Sequence, residues 1–288
     1  MTSPSERPKR PPELEDWLNT WIYHPLAWQL ARGLAHTPVS PNMVSIFGAA
    51  MVIAAGVAYA GLAWPVSAAL GMALHMGWHV VDGADGDLAR LTGKASPFGE
   101  MVDGLCDYGS HIVLYFILAA VLQGEIGWIA WPVMVAAGVS HILQSNHIEV
   151  QRRSYQWWYY DKPWIGLTHA DTAAETRGKG FAGLVNAYLA VASGVTPANA
   201  KLDALKQRAE SDPAAMERFK HAVRAEIPRL ATIWRLLGPN PRAIVLGLSM
   251  FAGSPLWYFL YQAVLQNILL VISVRAHNAA WRRVAERA

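Results

Sequence analysis

The chain has 288 residues, of which 53% are apolar and only 16% are charged, against about 25% charged in an average soluble domain. Its 24 basic and 21 acidic residues leave four long stretches without any charge, at residues 33–81, 108–124, 126–148 and 243–274. Because about 20 apolar residues in a helix cross a bilayer, this pattern excludes a simple soluble globule, a disordered chain and an outer-membrane barrel. It predicts an all-α, polytopic membrane protein.

The N-terminal arm is rich in proline and in charge, and it lacks the apolar stretch and small-residue cleavage site of a signal peptide. From Leu14 to Leu34, apolar residues recur at helical spacing among polar ones. This spacing predicts a helix that lies in the cytoplasmic membrane interface; a soluble cap over the helix ends is the alternative. We therefore assign residues 1–38 to a cytoplasmic arm with an interfacial helix.

Residues 39–288 are interpreted as one domain with six transmembrane helices. The first four predicted spans are Met43–Leu62, Val66–Leu91, Gly99–Gln123 and Ile126–Val150. The apolar run at 243–274 is too long for one span and breaks at Gly253-Ser254-Pro255, a strong turn signal. It therefore predicts a fifth helix, which starts near Leu230 and kinks around Pro239 and Pro241, followed by a sixth helix.

The connectors between the predicted spans differ sharply in charge. Three short ones, at Ala63–Pro65, Gly124–Gly127 and Gly253–Pro255, contain no Lys or Arg. The positive-inside rule places these three outside and both termini in the cytoplasm. A long charged connector at about residues 151–235 joins the fourth and fifth spans. It opens with aromatic residues that are typical of a membrane-interface belt: Tyr155, Trp157, Trp158, Tyr159, Tyr160 and Trp164.

Four aspartates lie where the second predicted span ends and the third begins. Asp82 and Asp85 are i,i+3 neighbours, and Asp103 and Asp107 are i,i+4 neighbours, so each pair projects from one face of its helix. Both helix ends lie on the cytoplasmic side, so the four carboxylates can converge. Ionised groups about 5 Å apart repel by roughly 3 kcal/mol per pair at an effective dielectric of 20. They are therefore either largely protonated or hold hard divalent cations.

The same residues form a longer motif. From Asp82 to Asp107 the chain reads D-x2-D-G-x2-A-R-x8-G-x3-D-x3-D, and it thereby resembles the CDP-alcohol phosphotransferase family. The segment Pro41-Asn42-Met43-Val44-Ser45 is similar to that family's entry to its first helix. Six spans, cytoplasmic termini and an N-terminal interfacial helix also resemble the family, which further implies a possible homodimer.

The resemblance implies a metal-dependent phosphotransferase that cleaves a CDP-linked alcohol. Its cofactors would be two divalent cations, Mg²⁺ or Mn²⁺, bound by Asp82, Asp85, Asp103 and Asp107. Asp107 would also be the catalytic base that deprotonates the acceptor hydroxyl. The residues implied to bind the donor substrate are Asn42, Ser45, Gly86, Ala89, Arg90 and Gly99.

We therefore expect a bacterial-type inner-membrane enzyme of phospholipid biosynthesis, with its active site in the cytoplasm. It would move a phosphatidyl group from CDP-diacylglycerol to a small polar alcohol and release CMP, with membrane lipids and no nucleic acid as partners. Transfer of a CDP-linked head group, of choline or ethanolamine type, to diacylglycerol is the alternative within the same fold. A membrane prenyltransferase and an acid-lined cation transporter are more remote, because neither explains the spacing of Gly86, Ala89 and Arg90.

The acceptor alcohol is not identified by these residues. Basic side chains that could contact a phosphorylated acceptor are Arg152, Arg153, Arg235 and Arg242. The polar residues His141, Gln144 and Ser145 on the fourth predicted helix serve either the acceptor or helix-helix hydrogen bonds.

Overall fold

The computed structural model describes residues 10–162 and 199–287, and within these residues all regular secondary structure is helical. Short 3₁₀ and π-helical turns accompany the α-helices, at Pro12–Leu14, Asn19–Tyr23, Gly127–Ile129 and Tyr261–Leu265. The α-helices in the described ranges are α1 (His24–Leu34), α2 (Pro41–Gly61), α3 (Val66–Leu91), α4 (Pro97–Ile126), α5 (Ala130–Tyr160), α6 (Asn199–Ala209), α7 (Pro213–Leu236), α8 (Pro239–Phe251), α9 (Leu256–Leu260) and α10 (Gln266–Arg287).

Three helical segments in the described part of the chain are long and apolar enough to cross a membrane. They are Pro41–Gly61, Phe98–Tyr160 and Leu256–Arg287. The second contains both α4 and α5, which the turn at Gly127–Ile129 separates. The histidines and carboxylates in the second half of α3 lower its hydropathy, and α3 is not among the three.

Helices lie at all six predicted spans, and α3 has the predicted limits, Val66–Leu91. Two details of the prediction were wrong. The third span was predicted to end at Gln123, whereas α4 ends at Ile126, three residues later. The chain then turns at Gly127–Ile129, where Gly127 adopts a positive φ of 68°. The expected fifth helix is not a single kinked helix: α7 ends at Leu236 and α8 starts at Pro239, where proline is well suited to the first helical turn.

The structure divides into two compact units. The first comprises Met1–Gly138 and Pro239–Ala263, and the second comprises Val139–Gly238 and Val264–Ala288. Of the predicted arm at residues 1–38, residues 10–38 belong to the first unit. Residues 1–9 and 163–198, with Trp164, lie outside the described residues. The described part of the predicted connector contains α6, α7 and the end of α5, which continues to Tyr160, beyond the predicted end of the fourth span at Val150.

In the first unit, α2 and α4 begin in the same way. Ser40 and Ser96 are N-caps whose hydroxyl oxygens accept hydrogen bonds from the backbone N–H of Met43 at 3.3 Å and of Gly99 at 3.1 Å. A proline follows each serine at the first helical position. Serine satisfies an exposed N–H and proline presets φ, so the sequence Ser-Pro fixes both helix starts.

The connection from α3 to α4 is a short turn around Gly93, which has a φ of 66°. The N–H of Lys94 donates to the carbonyl oxygen of Ala89 at 2.8 Å, and the N–H of Gly93 donates to that of Arg90 at 3.4 Å. This pair of bonds is a Schellman motif, which ends a helix at a left-handed residue and so favours glycine there. The turn brings the C-terminal end of α3 next to the N-terminal end of α4.

The core of the first unit is formed by α2, α3, α4, α8 and α9 with the start of α5. Its fully buried members include Val52, Ala68, Leu114, Leu118 and Leu246. A smaller cluster, which includes Ala27 and Ala31, packs α1 against the end of α3. Helix α1 approaches α3 closely at this cluster: a Cβ atom at Gly83 would lie only 3.1 Å from the Cβ atom of Ala27.

In the second unit, the aromatic end of α5 is packed inside the protein and is not simply a membrane-interface belt. Tyr155 and Trp158 are fully buried, and the Trp158 indole N–H donates to Asp203 on α6 at 2.7 Å. The same indole packs edge-on against Trp281 on α10, at 4.8 Å between ring centroids. The prediction of a membrane-interface belt was wrong for these two residues. Tyrosine and tryptophan rings can also be buried in a protein core when their O–H or N–H group finds a hydrogen-bond partner.

An ion pair joins α7 to α10 within the second unit. Arg283 donates to both carboxylate oxygens of Glu226, at 2.9 Å and 2.6 Å. These hydrogen bonds lower the pKa of Glu226.

We expect Gly71→Ala to destabilise the first unit. A Cβ atom at Gly71 on α3 would lie 2.4 Å from two ring atoms of the buried Tyr59 on α2, and overpacking of this kind costs ~1–3 kcal/mol. The apparent melting temperature of the purified protein in detergent should therefore fall.

Gly124→Ala is the matched control, because nothing lies within 4 Å of a Cβ atom at that α4 position. Alanine in an open helical site should leave the melting temperature unchanged or raise it, since it stabilises a helix by ~1 kcal/mol relative to glycine. Equal melting temperatures for the Gly71 variant and the unaltered protein would contradict the close packing of α2 on α3.

Candidate active site

The four aspartates of the motif come together where α3 ends and α4 begins. Carboxylate oxygens of Asp82, Asp103 and Asp107 lie within 4.8 Å of one another. Across the two helices, the carboxyl group of Asp82 is within hydrogen-bonding reach of Asp107, and that of Asp85 is within reach of Asp103. The predicted convergence is therefore confirmed, and each helix contributes one member to each pair.

Asp85 is the most enclosed of the four and is held by two donors. The Ser45 hydroxyl on α2 donates to Asp85 Oδ2 at 2.5 Å, and the backbone N–H of Gly86 donates to Oδ1. Both Ser45 and Asp85 are buried. Ser45, which we predicted to contact the donor substrate, thus fixes the orientation of a carboxylate in this structure.

Two carboxylates in contact repel when both are ionised, so each pair requires a proton or a cation between its oxygens. Several carboxylate oxygens within one small volume are the ligand set that hard divalent cations favour. The side chains present therefore fit a divalent cation, with Asp82, Asp103 and Asp107 as the group that can hold it.

Beside the acidic group, Gly86 leaves space for the Arg90 guanidinium. A Cβ atom at Gly86 would lie 3.4 Å from both terminal nitrogens of Arg90. Arg90 is half exposed and donates to Asp87 at 2.5 Å. Asp87, which the prediction left out of the metal group, is buried and lies outside the cluster of Asp82, Asp103 and Asp107.

The remaining predicted donor-binding residues lie at the start of α2, the end of α3 and the start of α4. The Asn42 side chain at the start of α2 is close to Gly99 at the start of α4. Its Oδ1 atom would be 3.6 Å from a Cβ atom at Gly99. Ala89 is half-buried in the last turn of α3, between Gly86 and Arg90 in sequence. All of the predicted donor-binding residues therefore belong to the first unit.

An arginine from the N-terminal arm also reaches this region, and the motif gave no signal of it. Arg10 Nη2 lies 3.5 Å from Asp87 Oδ1, and Arg10 Nη1 lies 2.5 Å from His24 Nε2. Burial lowers the pKa of Arg10, and this effect is larger than the opposite effect of the Asp87 and Glu15 carboxylates, which raise it. Since arginine stays protonated in proteins, Arg10 adds a second positive charge beside Arg90.

Trp78 and His111, which the prediction did not single out, pack next to Asp107. Trp78 contacts His79 at 4.6 Å and His111 at 4.7 Å between ring centroids, and its indole is within hydrogen-bonding reach of the Asp107 carboxylate. His111 Nδ1 donates to the backbone oxygen of Asp107 at 2.8 Å. The i,i+4 spacing of Asp107 and His111, and of Trp78 and Asp82, was the available signal.

The polar residues on α5 take part in contacts within the second unit. Gln144 donates to Asn267 Oδ1 on α10 at 2.8 Å, and Asn267 in turn donates to Ser140 at 2.8 Å. This supports the helix-helix alternative for Gln144. Among the basic candidates, Arg153 pairs with Glu149 and Arg235 donates to the backbone oxygen of Ala231, each on its own helix.

The comparisons with known proteins agree with the motif. The family model for CDP-alcohol phosphatidyltransferase matches residues 38–168, a little under half of the chain. A search of curated proteins finds no match. The matched region contains all four aspartates and α2, α3 and α4, which build the site. The chain therefore contains a CDP-alcohol phosphatidyltransferase domain at residues 38–168.

Proposed function

We propose that this protein is an integral-membrane enzyme that moves a phosphatidyl group from CDP-diacylglycerol to a small polar alcohol and releases CMP. The family supports transfer of a phosphatidyl or phosphoalcohol group from a CDP-alcohol. The observation that carries the proposal is the pairing of Asp82 with Asp107 and of Asp85 with Asp103 beside Arg90. That arrangement combines a cation-binding group with a guanidinium that can bind phosphate.

In the proposed mechanism, Asp107 takes the proton of the acceptor hydroxyl. The acceptor oxygen then forms a bond to the phosphorus that bears diacylglycerol, the bond from that phosphorus to the bridging oxygen breaks, and CMP leaves. Two divalent cations held by Asp82, Asp85, Asp103 and Asp107 would neutralise diphosphate charge when bound. Arg90 orients the diphosphate, and Ser45 keeps the Asp85 carboxylate aimed at the site.

The surroundings of the site support a lipid substrate. On α4, the face opposite the aspartates exposes Leu105, Tyr108 and Ile112, and on α2 Ile46 and Phe47 are exposed next to the buried Ser45. Apolar side chains exposed on a membrane helix face hydrocarbon. Acyl chains could therefore lie against α2 and α4 while the diphosphate reaches the aspartates.

We further propose six transmembrane spans, with both termini and the active site on the cytoplasmic side of a bacterial-type inner membrane. The lack of Lys and Arg in the three short connectors supports this topology. Trp17 and Trp21, on the turn before α1, are about two-thirds exposed, as expected for a helix that rests in the membrane interface.

Removal of divalent metal should abolish transfer, and Mg²⁺ or Mn²⁺ should restore it. An independent readout is direct binding: Asp103→Asn removes a charge from the acidic group and should reduce Mn²⁺ binding at least tenfold, measured by electron paramagnetic resonance of the free ion. Glu100→Gln, an exposed acid one turn earlier on α4, is the control. Equal Mn²⁺ affinity in the Asp103 and Glu100 variants would contradict a metal site at the aspartates.

Asp107→Asn should lower the turnover number by a factor of 1,000 or more, because asparagine cannot accept the hydroxyl proton. Binding of the CDP-linked donor should persist, since Asp82, Asp85 and Asp103 remain. The measurement is CMP release by the purified protein alongside equilibrium binding of the donor. Turnover close to that of the unaltered protein would exclude Asp107 as the base.

Arg90→Ala should weaken donor affinity about tenfold, because a charge-assisted contact to phosphate is lost. Lys94→Ala is the matched control, as an exposed cation four residues further along the chain. Titration with the CDP-linked donor measures both variants. If donor affinity is unchanged by Arg90→Ala, this arginine serves membrane topology alone.

The proposal as a whole is tested with purified protein, Mg²⁺ or Mn²⁺, and labelled CDP-diacylglycerol presented with a panel of small alcohols. Release of CMP together with a labelled phospholipid supports it. Turnover only with a CDP-linked head group and diacylglycerol would reverse the direction of transfer, and no CMP from either pair would overturn the proposal.

A further inference from the structure

We propose that Arg10, on the N-terminal arm, is a further donor-binding residue that contacts the diphosphate of the CDP-linked substrate together with Arg90. This inference deepens the proposed function and rests on it. Arg10 lies outside residues 38–168, which match the family, so it is a contribution of this chain's own arm to the site.

The two arginines share one carboxylate oxygen. Arg10 Nη2 lies 3.5 Å and Arg90 Nη2 lies 2.5 Å from Asp87 Oδ1. The Asp87 side chain is 2% exposed, whereas that of Arg10 is 32% exposed and that of Arg90 is 50% exposed. Asp87 is therefore a buried anchor, and both guanidiniums keep part of their N–H donors open to a ligand.

The orientation of Arg10 is set from its other side by the arm. His24 Nε2 lies 2.5 Å from Arg10 Nη1, and His24 Nδ1 lies 2.8 Å from Glu15 Oε2. A guanidinium has no acceptor atom, so His24 Nε2 accepts a hydrogen bond from Arg10, and Nδ1, the other ring nitrogen of His24, faces Glu15. The Arg10 guanidinium is thus held between His24 and Asp87.

Charge balance shows why the second arginine matters. Asp87 and Arg90 together carry no net charge, so Asp87 offsets part of the attraction that Arg90 offers to a diphosphate. Arg10 brings these three side chains to a net charge of +1, and Glu15, which also acts on Arg10, contacts the other ring nitrogen of His24. Arg10 is also close enough for its charge to act on the Asp82 carboxyl group.

The experiment compares Arg10→Gln with the unaltered full-length protein in detergent and Mg²⁺. Calorimetric titration with CDP, and separately with cytidine, measures affinity with and without the diphosphate. We expect Arg10→Gln to weaken CDP binding about tenfold and to leave cytidine binding within twofold. In turnover assays, KM for CDP-diacylglycerol should rise by a similar factor, whereas kcat should change less than threefold.

Three controls separate ligand contact from folding. Arg10→Lys keeps the charge and should recover more than half of the lost affinity on a logarithmic scale. Arg32→Gln removes an exposed arginine at the far end of α1 and should leave CDP binding unchanged. Mn²⁺ binding and the melting temperature of Arg10→Gln should match those of the unaltered protein.

The outcomes distinguish this inference from the proposed function. If the unaltered protein binds CDP and releases CMP, but Arg10→Gln binds CDP equally well, Arg10 is not a donor-binding residue and the proposed function stands. If Arg10→Gln loses Mn²⁺ binding and thermal stability in parallel with CDP binding, its role is structural and the inference is overturned. If the unaltered protein neither binds CDP nor releases CMP, both fail.

Discussion

The mutual repulsion of four carboxylates at the junction of α3 and α4 is the constraint on which this structure depends. At about 5 Å and an effective dielectric of 20, each ionised pair costs roughly 3 kcal/mol. The junction therefore needs rigid supports, and it has them on both sides: a Schellman turn at Gly93 ends α3, and a Ser96-Pro97 cap starts α4. Ser45 adds a third support by holding Asp85 from α2.

The positive charges near this junction come from different parts of the chain. Arg90 follows the aspartates on α3, whereas Arg10 arrives from the arm and is oriented by His24. Asp87 connects the two. A buried carboxylate between two partly exposed guanidiniums is a compact way to hold two like charges side by side, because each arginine gains a partner that offsets their repulsion.

Much of the first unit could be predicted from the sequence, because its signals are local. The limits of α3, the break at Gly253 and the convergence of the aspartates follow from apolar runs, turn residues and i,i+3 or i,i+4 spacing. The contact of Arg10 with Asp87 could not be predicted, since the two are 77 residues apart and no periodicity links them. The burial of Trp158 was missed for a similar reason: its partners Asp203 and Trp281 are distant in the chain.

The two faces of α4 have a consequence for how a lipid would arrive. Asp103 and Asp107 lie on one face, and Leu105, Tyr108 and Ile112 are exposed on the other side of the same helical turns. A substrate with acyl chains would thus travel within the plane of the bilayer until it met this helix, without entering water. The rate at which it meets the site would depend on its lateral diffusion and on its mole fraction in the membrane. That rate would not depend on the volume of the surrounding solution.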